Sequence, residues 1–77
     1  METIAEVITR AISDITGYPH DMINADDELY KVGLEHDHYD RLCTIIQNRY
    51  DVEVSDDDVF TWNTVEDIVR TVEELTT

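Results

Sequence analysis

Apolar residues recur at intervals of three and four in three segments, and this spacing constrains the fold of the chain more than any other feature. In residues 3–16, 37–50 and 65–75, the spacing places the apolar side chains on one face of a helix. These faces consist of Ile4, Val7, Ile8, Ala11, Ile12 and Ile15, then Tyr39, Leu42, Cys43, Ile46 and Tyr50, and finally Val65, Ile68, Val69, Val72 and Leu75. The periodicity therefore predicts three amphipathic helices.

A long connection, residues 18–34, follows the first predicted helix. Gly17 and Pro19 end that helix, because glycine is favoured just after a helix and proline does not continue one. We expect a short helical turn near residues 27–31. A connection of this length must be anchored on the core. The apolar residues expected to anchor it are Met22, Ile23, Leu29, Val32 and Leu34.

The segment between the second and the last helix is ambiguous. Val52 and Val54 alternate with acids, as they would in a strand, but no other segment offers a partner strand. Asp51 ends the second helix, and either Asn63 or Thr64 caps the last one. Between them we expect a loop and then a short helix whose inward side chains are Val59, Phe60 and Trp62.

The length of the chain limits it to one hydrophobic core, because 77 residues bury too little surface for two. Its apolar fraction of 42% is typical of a folded protein and too high for a disordered one. We therefore predict an all-α fold, a small antiparallel four-helix bundle with three longer helices and one short helix. Residues 1–77 are expected to form a single domain, and the protein is expected to be a monomer.

Acidic residues outnumber basic residues by 19 to 5, which gives a net charge of −14. A chain of this charge repels nucleic acid and anionic membranes, so neither is an expected partner, whereas a basic protein surface or a cation is. The single cysteine excludes an internal disulfide, and the first residues lack the pattern of a signal peptide. We therefore expect a cytoplasmic protein.

The segment GLEHDHYDRL, residues 33–42, holds the side chains most able to carry chemistry. His36 and Asp40 lie four residues apart and could share a metal ion, but two ligands do not make a site. We expect instead that His36 and Asp37 cap the second helix and that His38 is solvated. The segment by itself therefore predicts no metal site.

Other kinds of site also fail on their residue requirements. A calcium loop of the EF-hand type counted from Asp51 has Asp56 and Trp62 where glycine and glutamate are needed. No serine lies in a sharp turn, and Cys43 lies on an apolar helix face, so we expect no enzymatic activity. Core packing, and not a ligand pocket, is the expected role of the aromatic residues Tyr18, Tyr30, Phe60 and Trp62.

Three segments share their order and character with one known family. They are VGLEHDHYDRL (residues 32–42), YDVEVSDDD (residues 50–58) and NTVEDIV (residues 63–69), and they follow an opening helix that ends near Gly17. In this order the chain resembles the acyl carrier proteins over nearly its whole length. The resemblance implies the helical bundle of that family.

The resemblance also identifies the position where that family carries its prosthetic group. There the second helix begins with an Asp-Ser-Leu step, and the serine hydroxyl is esterified to a phosphopantetheine arm. The corresponding residues here are Glu35, His36 and Asp37. An imidazole would give only a labile phosphoramidate, so we expect no bound cofactor. The only serines, Ser13 and Ser55, lie elsewhere in the sequence.

Three functional hypotheses follow from the resemblance and the residues. The first is a non-carrying relative that binds another protein, for which a biosynthetic enzyme is the candidate. The alternative is a working acyl or peptidyl carrier, in fatty-acid or secondary-metabolite biosynthesis, that bears phosphopantetheine on another hydroxyl. The third is a pH-sensitive contact, because His36 and His38 could become charged near neutral pH and change the sign of that surface. The contact residues of the first hypothesis are Glu35, His36, Asp37, Asp40 and Arg41.

Overall fold

A computed structural model describes residues 2–77 of the chain. Over these residues the protein is helical, and its only β-type pairing is an isolated bridge between Glu28 and Thr64. The α-helices are Ile4–Thr16 (α1), Tyr39–Tyr50 (α2), Asp56–Phe60 (α3) and Val65–Thr76 (α4). Three short 3₁₀ helices span His20–Met22, Leu29–Val32 and His36–His38. The all-α prediction is confirmed, and so is the absence of a strand at residues 52–54.

The helical faces read from the spacing form the core. Helix α1 packs against both α2 and α4, and the buried side chains of the three helices belong to one hydrophobic cluster. Burying a large aliphatic side chain contributes about 1.5–3 kcal/mol to folding, so this cluster is the main source of stability. Its helical members are Ile8, Ala11, Ile12, Leu42, Ile46, Val65, Ile68 and Val72.

The connection between α1 and α2 is fixed by hydrogen bonds to the start of α4. The Leu29 N–H donates to the carbonyl of Asn63 at 2.9 Å, and the N–H groups of Val65 and Glu66 donate to carbonyls of the connection at 3.1 and 2.8 Å. The first N–H groups of a helix have no partner within the helix, so the connection satisfies two of them. Four of its predicted anchors are buried: Ile23, Leu29, Val32 and Leu34.

Three side chains predicted to face inward are exposed, and those predictions are wrong. Met22 is 60% exposed, Tyr30 is 75% exposed and Phe60 is 80% exposed. In the 3₁₀ helix Leu29–Val32, residues three apart share a face, so the burial of Leu29 and Val32 turns Tyr30 outward. Likewise Phe60 ends the short helix α3 and lies outside the face that packs on the core.

Candidate functional site

The turn before α2, the 3₁₀ helix His36–His38, is named here the opening turn. It follows Gly33, whose φ of 85° lies in the left-handed region that glycine adopts without strain. It also follows Leu34, which is almost fully buried and ties the chain to the core. The opening turn is thus held from one side by a sharp bend and an apolar anchor.

The capping of the opening turn differs from the sequence expectation. The side chains of His36 and Asp37 are exposed and make no hydrogen bond to the backbone within the described part of the chain. Instead His38, which is half-buried, accepts a hydrogen bond on Nδ1 from the backbone N–H of Glu35 at 3.0 Å. The His38 side chain, and not that of His36 or Asp37, therefore caps the start of the turn. His38 was expected to be solvated, and it is only partly so, because it is half-buried and its Nδ1 takes part in this hydrogen bond.

An open groove of about 560 Å³ runs along α2 and α3 beside the opening turn. One wall of the groove is formed by the opening turn and by a stripe of side chains along α2. The residues of this stripe follow His36 by four, seven, eight and eleven residues, so they lie on one face of the helix. The stripe consists of Asp40, Cys43, Thr44 and Gln47. The other wall consists of Val54, Asp56, Val59 and Phe60.

The groove brings together some of the predicted contact residues and not others. His36, Asp37 and Asp40 line it, whereas Glu35 and Arg41 are exposed outside its lining. The other residues that line the groove were not predicted as site residues. Those in α2, which are Cys43, Thr44 and Gln47, have a helical spacing from His36 that could have identified them in the sequence.

Arg41 is the one basic residue among residues 2–77 that forms no ion pair. The other basic residues pair with Glu2, Asp27 or Glu66, and because the basic side chain of each pair is more than half exposed, each pair contributes little. The pairs are Arg10–Glu2 at 2.8 Å, Arg49–Glu2 at 3.4 Å, Lys31–Asp27 at 3.7 Å and Arg70–Glu66 at 3.5 Å. Arg41 thus presents an unpaired guanidinium to the solvent, one residue after Asp40 of the groove lining.

A series of aromatic rings links the opening turn to the core. The ring centroids of His36 and Tyr39 are 5.3 Å apart, and those of Tyr39 and Trp62 are 6.0 Å apart in an edge-to-face arrangement. Trp62 is buried, and its indole N–H donates to the hydroxyl of Thr71 at 3.0 Å. Burial also raises the pKa of Tyr39. The exposed imidazole of His36 is therefore connected through the ring of Tyr39 to the buried Trp62.

Cys43 is half-buried in the wall of the groove. Burial raises the pKa of its thiol, and the carboxylates of Asp40, Asp56 and Asp58 raise it further. A thiol with a raised pKa stays protonated at neutral pH and is a poor nucleophile. The groove therefore lacks an activated cysteine.

The hydroxyl groups near the groove have structural partners. Ser55 caps α3: its hydroxyl accepts the N–H of Asp58 at 3.2 Å. The hydroxyl of Thr44, which is exposed in the groove, donates to the carbonyl of Asp40 at 3.0 Å. Ser13 lies in α1 and is not part of the groove lining. The opening turn itself contains no hydroxyl.

Over residues 2–77, no three His, Cys, Asp or Glu side chains come close enough to hold a metal ion together. None of the helices described there is long and apolar enough to span a membrane.

No protein-family model matches this chain, and no curated protein matches it.

Proposed function

We propose that the protein is a non-carrying relative of the acyl carrier proteins that binds another protein beside the opening turn. The contact comprises His36, Asp37 and Asp40 in the groove, with Glu35 and Arg41 at its edge. One observation carries the proposal: an exposed imidazole, and no hydroxyl, occupies the turn that leads into α2 and opens onto the groove.

Several features of the fold support the likeness to that family. The chain is all-helical, and Gly33 bends it sharply just before the opening turn. The connection between α1 and α2 is tied to the start of α4, where the segment NTVEDIV lies. A small antiparallel four-helix bundle of the acyl-carrier type would account for all three features.

The chemistry of attachment supports the loss of the arm. A phosphopantetheine arm needs a hydroxyl oxygen that forms a stable phosphodiester, and an imidazole nitrogen does not form one. His36 therefore removes the covalent function from this position. What the position retains is a shaped surface at the start of a helix.

The exposed groups at this surface suit a protein contact. Arg and aromatic residues are enriched at protein interfaces and often dominate their binding energy. Arg41 has no ion pair among the described residues, and Phe60 exposes 80% of its surface at the groove. A partner that covers the groove would bury both side chains, and a biosynthetic enzyme is the candidate partner.

Affinity isolation with matched variants tests this proposal. The wild-type protein and the variants His36→Ala, Asp37→Ala and Arg41→Ala are immobilised, and retained proteins are identified by mass spectrometry. We expect each variant to bind a specific partner about tenfold more weakly than the wild type, which corresponds to a loss of about 1.4 kcal/mol of binding free energy. A partner that binds all three variants as tightly as the wild type contacts the protein elsewhere, and the proposal is then wrong.

The controls use the same residue types at exposed positions away from the groove. They are His20→Ala, Asp21→Ala and Arg70→Ala, whose side chains do not line the groove. If these control variants still retain the partner, its loss from the groove variants is due to the position of the changed residues and not to the type of residue removed.

The alternative, a carrier modified at another hydroxyl, is favoured by one observation. The hydroxyl of Thr44 is exposed in the groove, on the same helical stripe as His36 and eight residues after it. Co-expression with a broad-specificity phosphopantetheinyl transferase followed by intact-mass measurement separates the two proposals. A stable increase in mass by one phosphopantetheine arm that is absent in Thr44→Val establishes the carrier function at Thr44. An unchanged mass supports the proposal of a non-carrying relative.

A further inference from the structure

The three other α-helices of the described chain begin with the same pair of hydrogen bonds. In each, the side chain of the third residue after the capping residue accepts a hydrogen bond from the backbone N–H of the capping residue. The hydroxyl of the capping residue accepts a hydrogen bond from the backbone N–H of that third residue in return. In every case the first acceptor is a carboxylate. The distances are 3.2 Å for Thr3 and Glu6, 3.3 Å for Ser55 and Asp58, and 3.0 Å for Thr64 and Asp67.

The opening turn that leads into α2 uses histidine in the same role. His38 lies three residues after Glu35, and its Nδ1 accepts the Glu35 N–H at 3.0 Å. Nδ1 accepts this bond only when it carries no proton, so the ring proton must lie on Nε2. In the imidazolium both nitrogens are donors, and the bond is lost.

We propose that the opening turn is an acid-sensitive latch, in which protonation of His38 releases the Glu35 N–H and loosens the start of α2. Carboxylates keep their charge well below neutral pH, whereas histidine gains a proton between about pH 5 and pH 8. The other three helix starts therefore persist under conditions that open this one. The latch acts on His36, Asp37 and Asp40, so its role in partner binding rests on the proposed function.

Two effects of protonation act in the same direction. The capping hydrogen bond is lost, and a positive charge is placed at the positive end of the helix dipole. The charged residues of the neighbouring elements are Glu35 and Asp37 beside His38 in the sequence, Asp40 and Arg41 in the first turn of α2, and Asp56 at the start of α3. None of them restores the ability of a protonated Nδ1 to accept a hydrogen bond.

Nuclear magnetic resonance of the ¹⁵N-labelled protein tests the latch without any partner. The Glu35 amide and the His38 imidazole nitrogens are followed from about pH 7.5 to pH 5.5. At high pH we expect a neutral His38 with its proton on Nε2. As the ring is protonated, we expect the Glu35 amide proton to move upfield along the same titration curve. Exchange of that amide, corrected for intrinsic rates, should accelerate roughly threefold to tenfold.

Three variants complete the design. His38→Glu places at this position the acceptor type used by α1, and its Glu35 amide should not respond between pH 7.5 and pH 5.5. His36→Ala and His20→Ala should respond like the wild type. The latch is refuted if His38 titrates while the Glu35 amide stays unchanged, if neutral His38 carries its proton on Nδ1, or if His38→Glu responds like the wild type. None of these outcomes depends on whether the groove binds a protein.

Discussion

At the scale of single residues, the buried polar pair of Trp62 and Thr71 shows how the core tolerates polar atoms. Both residues are buried, and the indole N–H donates to the Thr71 hydroxyl at 3.0 Å. That hydroxyl donates in turn to the carbonyl of Asp67, also at 3.0 Å. Each donor therefore has an acceptor, which a buried polar group needs.

Thr71→Val should lower the free energy of unfolding by about 1–3 kcal/mol, because it leaves the buried indole N–H without an acceptor. Urea unfolding followed by the fluorescence of Trp62, the single tryptophan, measures the change. Thr44→Val is the matched control. Thr44 makes the same kind of bond to the carbonyl four residues earlier, but it is exposed, so we expect a change within about 0.5 kcal/mol. Equal effects of both variants would contradict this account.

Asp67 stabilises the start of α4 in a pH-dependent way. Burial opposes the ionisation of Asp67, but hydrogen bonds from the backbone of Asn63 and Thr64, the Thr64 hydroxyl and the charge of Arg70 outweigh it and lower the pKa. A carboxyl group with a lowered pKa in the folded state stabilises the protein above its ordinary pKa of 3.8. This stabilisation is lost as the pH falls through the folded-state pKa.

Asp67→Ala should therefore lower the free energy of unfolding by about 1 kcal/mol at pH 7. The difference in free energy of unfolding between the variant and the wild type should shrink as the pH falls below 3.8. Protonation of Asp67 then removes the charge from the wild type as well. Urea unfolding at several pH values measures both quantities. Asp26→Ala is the control, since Asp26 is exposed and its carboxylate accepts no hydrogen bond from a helix start. A difference that stays constant with pH would contradict the role assigned to the Asp67 charge.

At the scale of elements, the sequence predicted the three longer helices because each carries a repeating apolar face. The same rule fails for the short 3₁₀ helices and for α3, which are too short to show a period. Tyr30 and Phe60 were therefore placed inward on hydrophobicity alone, whereas packing turns them to the solvent. The end of α2 was predicted correctly at Asp51, although the residue is not glycine.

Asp51 has φ of 54°, in the left-handed region, and lies at the negative end of the α2 dipole. Asp51→Gly should raise the free energy of unfolding by about 0.5–1 kcal/mol, because glycine adopts this conformation without strain and removes the charge. Asp51→Asn removes only the charge and should give a smaller increase. Urea unfolding of the three proteins in parallel measures the order. A loss of stability in Asp51→Gly would show that Asp51 makes a stabilising contact that this account omits.

At the scale of the whole molecule, the candidate site was only partly predictable. The sequence pointed to His36, Asp37 and Asp40, and helical spacing places His36 and Asp40 on one face. The groove itself required the structure, because its second wall comes from residues 54–60 and depends on how α3 packs beside α2. The capping role of His38 was not predictable from the sequence, since the rules for helix starts favour glutamate or glutamine at that position.

The net charge of −14 acts on the whole molecule and leads to a test of global stability. Two like charges 10 Å apart in water repel each other by about 0.4 kcal/mol, and 0.1 M salt screens charges beyond about 10 Å. Raising sodium chloride from about 10 to 200 mM should therefore raise the free energy of unfolding by on the order of 1 kcal/mol. The exposed ion pairs weaken in salt, but they contribute too little to reverse this.

A variant with Glu53→Gln, Asp57→Asn and Glu74→Gln should respond less to salt, because fewer like charges remain to be screened. If the wild type loses stability in salt, the ion pairs outweigh the repulsion and this account of its acidity is wrong.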